Sequence, residues 1–77
     1  MADVPSGKQP ESGPLSRAFS ARVLAAMQRD RVTVTALAAA AGLSRNYLGK
    51  RLRNETPFTL NDVEAISLAL GLPPPEL

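Results

Sequence analysis

The stretch from Thr33 to Ser44, TVTALAAAAGLS, constrains this chain more than any other. Thr33 and Ser44 are both good N-cap residues, whose hydroxyl oxygen can accept an unpaired N–H of a first helical turn. Gly42 most readily takes the positive φ that stops a helix and redirects the chain. The residues between Thr33 and Gly42 are mostly Ala, which loses no side-chain entropy in a helix and lets a neighbouring backbone come close. This predicts a helix over about 34–41, with Leu37, Ala38 and Ala41 on its inner face, then a tight turn and a second helix over about 45–53. In the second, Leu48 and Leu52 point inward while Arg45, Asn46, Lys50 and Arg53 point outward.

The same reading extends to both sides. Leu15, Phe19, Val23, Leu24 and Met27 recur at helical spacing and predict a helix over about 16–29. The β-branched run Val32-Thr33-Val34-Thr35 resembles a strand, but no partner strand with turn chemistry follows it. Pro57 biases Thr56 away from helical geometry, so 54–58 reads as a loop. Thr59 followed by Asp62 matches a capping pattern ahead of a helix over about 60–70, with Leu60, Val63, Ile66 and Leu70 inward and Gly71 as its stop. Pro75 could open a short fifth helix. Residues 1–14, rich in Pro, Gly and Ser, read as a flexible, disordered N-terminal arm preceding a domain over 15–77. The fold class expected is all-α, a compact four- to five-helix domain.

Composition narrows the chemistry. Seventy-seven residues make one domain at most. With no Cys and no His, thiolate and imidazole metal sites, cysteine nucleophiles and histidine triads are excluded, so no enzyme, metal or cofactor is expected. No apolar run approaches the roughly 20 residues of a membrane span, and the N-terminus lacks a secretory pattern, so a cytoplasmic location is expected. Charge is unevenly placed. Residues 15–53 sum to +7, with eight cations against Asp30, while residues 1–14 sum to −1 and residues 54–77 to −4. Cations gathered on outer helix faces are the footprint of a polyanion binder, although a solvated Arg-rich surface accounts for the charge equally well.

Spacing tilts the balance. The stretch from Thr33 to Arg53 resembles the helix-turn-helix of the phage repressor and Cro-type (lambda-repressor-like) DNA-binding family. Leu37 and Ala38 match its paired Leu-Ala, Gly42 its turn glycine, Leu43 the apolar residue after it, and Leu48 the buried position of its recognition helix. Leu70-Gly71-Leu72 resembles its closing signature. Two positions depart from the family: Val34 stands where many members have Gln, and Arg51 where an aliphatic is usual, with Leu52 offered beside it.

The resemblance implies a sequence-specific transcriptional regulator, a repressor or Cro-like protein, with helix 45–53 in the major groove of double-stranded DNA. It implies base-reading positions at Arg45, Asn46 and Lys50, with Gly49 permitting close approach. Arg can bond guanine O6 and N7, Asn can pair with adenine, and Lys can reach guanine. Phosphate contacts are expected from Thr33, Thr35, Ser44, Arg53, Asn54 and Thr56. Tyr47 is placed with them through its hydroxyl, packing over the preceding helix being the other reading of its ring. Phe19 and Phe58 are read as core. Two operator half-sites are implied, read by a monomer or weak homodimer that pairs on DNA. Two rivals stay open: a small helical protein-interaction module, such as an antitoxin-like regulator, and an RNA binder acting through the Arg-rich helix.

Overall fold

The computed structural model describes residues 12–73, and within them the chain forms four α-helices and no strand. They are α1 (Pro14–Asp30), α2 (Val34–Ala41), α3 (Arg45–Leu52) and α4 (Leu60–Leu70). Most of the expected arm and the possible fifth helix at Pro75 lie outside the described residues.

α1 begins at Pro14, two residues before the expected start, because a proline in the first helical position loses no hydrogen bond there and already holds a helical φ. Gly13 caps it without a side chain, and the buried Ser12 offers its carbonyl to Arg17 Nε at 3.0 Å.

All four helices end alike. The residue after each, or one further on in α3, adopts left-handed backbone: Arg31 (φ 55°), Gly42 (φ 72°), Asn54 (φ 62°) and Gly71 (φ 68°). At each end two N–H groups return to the last turn, as when Gly42 N bonds Ala39 O at 3.3 Å and Leu43 N bonds Ala38 O at 2.8 Å. Such pairs satisfy carbonyls that helix ends leave without partners. Gly42 and Gly71 were legible as stops. Arg31 and Asn54 were not, since neither residue type specifies the left-handed region by itself.

The core is a single cluster of Phe19, Val23, Met27, Leu37, Ala38, Leu48, Leu52 and Ile66. α2 lies against both α3 and α4, and α1 closes the other side by packing on the same two helices. Phe19 meets Phe58 edge to face at 5.1 Å, the geometry that aromatic quadrupoles favour, so both behave as core residues.

Three leucines expected inside are exposed: Leu15 at 88%, Leu60 at 69% and Leu24 at 44%. Leu15 and Leu60 sit in the first turns of α1 and α4. Helical side chains lean toward the N-terminus, so at a first turn they point past the end of the bundle. Leu24 follows the fully buried Val23 and is rotated about 100° from it around the helix, off the covered face.

Candidate nucleic-acid interface

α2 and α3 are placed by their ends. Thr33 Oγ1 accepts the Ala36 N–H at 3.1 Å and Ser44 Oγ accepts the Tyr47 N–H at 3.0 Å, as their positions led one to expect. In both, the hydroxyl oxygen is the acceptor, which leaves its own proton free for a further partner. Between them, Gly42 turns the chain and Leu43 packs back against the core.

α3 is then pinned from beneath. Leu48 is fully buried and Leu52 nearly so. From α1, the buried Ser20 hydroxyl donates to the Leu52 carbonyl at 2.9 Å, meeting a helix-end acceptor that would otherwise lack a partner away from water. No feature of the sequence around Ser20 signalled this, because its partner lies 32 residues away.

The opposite face of α3 is open. Arg45, Asn46, Lys50 and Arg53 are exposed and Gly49 is half-buried between them. Val34, Arg45, Asn46, Gly49 and Arg53 line a shallow concavity of about 500 Å³ where the start of α2 meets α3. Lys50 stands exposed but is not part of that lining. Thr33, Thr35 and Ser44 are exposed at the two helix starts. Among the described residues neither Arg45 nor Lys50 is ion-paired, and no group of residues could hold a metal ion.

Arg53 folds back over Gly49. A β-carbon there would come within 3.1 Å of Arg53 Nη1, so the Arg53 guanidinium lies across the glycine. The same guanidinium donates through Arg53 Nε to Glu55. Both partners are at least half exposed, so this pair adds little to stability.

Asn54 and Thr56 are half-buried in the loop after α3, and Asn54 Oδ1 and Thr56 Oγ1 are buried with no hydrogen-bond partner among the described residues. They are less open to a ligand than the helix starts.

Tyr47 and Arg51 face inward. The Tyr47 hydroxyl, expected at a phosphate, donates instead to the Asp62 carboxylate, 3.0 Å from both oxygens. Burial first, and then this bond to an anion, raise the phenol above its ordinary range. Arg51, left outside the base-reading set, is largely buried. Its guanidinium lies 3.4 Å over the Tyr47 ring, Nη1 donates to the Tyr47 carbonyl at 3.2 Å, and Nε stands 3.3 Å from Asp62 Oδ2 in an ion pair. The departure at position 51 from the usual aliphatic thus has a local counterpart in Asp62.

Among the described residues no helix is long and apolar enough to cross a membrane. No curated protein matches the chain. A family model described as helix-turn-helix matches residues 17–77, which takes in all of α2, α3 and α4 and most of α1. The exposed basic face of α3, held out by a short α2, is what that description requires. The chain therefore belongs to the helix-turn-helix family, and is a DNA-binding transcription regulator.

Proposed function

We propose that the protein is a sequence-specific regulator of the phage repressor or Cro type, which lays α3 in the major groove of duplex DNA. One observation carries this reading: Arg45, Asn46, Gly49 and Arg53 gather around a single concavity on the outer face of α3. A helix of eight residues is about 12 Å long, and the major groove admits a helix of ordinary width. Arg45 and Asn46 in the first turn and Lys50 one turn later meet base edges. Gly49 lets the helix axis approach the bases. Thr33, Thr35 and Ser44 hold phosphates through hydroxyl protons and the N-terminal ends of α2 and α3. Arg53 leaves Glu55 for a phosphate, with Asn54 and Thr56 beside it. Tyr47, its proton directed at Asp62, supports α3 from behind. Two protomers, monomeric or weakly paired in solution, occupy two half-sites.

The test starts from an operator selected out of random duplexes. Arg45→Ala is expected to cost about 1–3 kcal/mol of binding and to relax preference at one base pair. Arg53→Ala is expected to weaken binding to all sequences alike and to reduce the slope of log affinity against log salt by about one unit. Equal losses on operator and random DNA for both variants would overturn this division of labour.

A further inference from the structure

Asp62 lies in the first turn of α4 and is 4% exposed, yet it is a carboxylate. Three groups converge on it: the Thr59 N–H at 2.9 Å, the Tyr47 hydroxyl at 3.0 Å and Arg51 Nε at 3.3 Å. The first completes the α4 capping box. The other two come from α3, although no Cα of α3 lies within 8 Å of one in α4. Beside the shared apolar core, this cluster is a polar tie made directly between the side chains of the two helices.

Its position matters for the way α3 is held. Leu48 and Leu52 lie one turn apart and almost in line along the axis. Anchors in line fix the depth of a helix better than its roll. Tyr47 and Arg51 sit about 100° round from those leucines, each one residue earlier, and are tied to a fixed point on α4. A roll of about 15° would carry a group roughly 6 Å from the axis through about 1.5 Å, enough to break a bidentate base contact. A buried ion pair is also a weak source of net stability, because desolvation offsets its attraction, so orientation is the stronger reason to hold one here.

We propose that Tyr47, Arg51 and Asp62 are positioning residues that set the roll of α3 and thereby decide which bases Arg45, Asn46 and Lys50 meet. This rests on α3 being the groove-binding helix. The cluster acts on discrimination and not on general attraction to DNA, since none of its three members needs to touch a phosphate.

Tyr47→Phe tests it, keeping the ring beneath Arg51 and removing only the proton given to Asp62. Asp62→Asn is the second variant; it keeps an oxygen for the Thr59 N–H and removes the charge facing Arg51. Each is compared with the native protein by circular dichroism, by melting, and by binding to the selected operator and to random duplex at one salt concentration. The expected result is retained helix, unchanged affinity for random DNA and a roughly tenfold loss on the operator, the discrimination one bidentate base contact supplies. Equal losses on both DNAs, no change on either, or unfolding of both variants would overturn it by leaving the cluster a structural element only. Native protein that binds every duplex alike would instead remove the groove reading beneath it.

Discussion

α2 and α3 are both eight residues long, both start at a hydroxyl cap, and both stop through a left-handed residue, yet they do opposite work. α2 buries Leu37 and Ala38 and touches α3 and α4, so its small side chains serve close approach. α3 buries Leu48 and Leu52 along one edge and leaves Arg45, Asn46, Lys50 and Arg53 to solvent. Their ends differ too. After Gly42 the chain returns to the core with Leu43, whereas after Asn54 it continues with the exposed Glu55, which engages Arg53. Caps and stops thus determine that a helix exists and where it ends; the size and charge of its side chains determine whether it becomes a spacer or a face.

The largest test of that contrast is burial. Leu48→Ala is expected to cost about 2–5 kcal/mol of stability, since it empties a fully buried site on the edge that holds α3 in place. A urea or thermal melt measures it, and a loss under 1 kcal/mol would mean that α3 is held mainly by other contacts. Next comes Ala38→Leu in α2, expected to overpack the 2% exposed site by roughly 1–3 kcal/mol. Ala39→Leu, on the exposed side of the same helix, is expected to stay within about 0.5 kcal/mol. Similar melts for the two alanine variants would contradict the role of close approach.

The two stops give a smaller effect. Nothing lies within 4 Å of a β-carbon added at Gly42, so Gly42→Ala meets only the backbone cost of φ 72°, about 1 kcal/mol. Asn54→Gly at φ 62° is expected to be nearly neutral, because relief of local strain is offset by the greater freedom of glycine in the unfolded chain.

The smallest effect is alkaline. α2 has no titratable side chain, whereas α3 carries Tyr47, whose phenol is held above its ordinary value of 10.0 by burial and by Asp62. A group raised in the folded state adds stability that is fully present below its unfolded value and is lost as pH climbs from there toward the folded one. The melting temperature is therefore expected to fall more steeply above pH 10 in the native protein than in Tyr47→Phe.

Most of the fold was legible because its signals are local. The limits expected for α2 and α4 coincide with those observed, and the Thr59–Asp62 capping box forms as its spacing implied. Among the expected contact residues, Arg45, Asn46, Gly49 and Arg53 come together, while Asn54 and Thr56 are half-buried and the Tyr47 hydroxyl turns to Asp62. Nothing near Tyr47 in sequence could have indicated that bond, since Asp62 is fifteen residues on and its capping role already explained it.

By itself the amino-acid order determined the caps of α2, α3 and α4 and the glycine stops of α2 and α4, since a cap or a stop spans no more than one or two turns of backbone. Only the packed structure decided which apolar side chains were covered, leaving Leu15, Leu24 and Leu60 outside. It also decided which cation was withdrawn, drawing Arg51 to Asp62 while Arg45 and Lys50 stayed exposed. Burial and ion pairing depend on what lies across a gap in space, and spacing along the chain does not encode that distance.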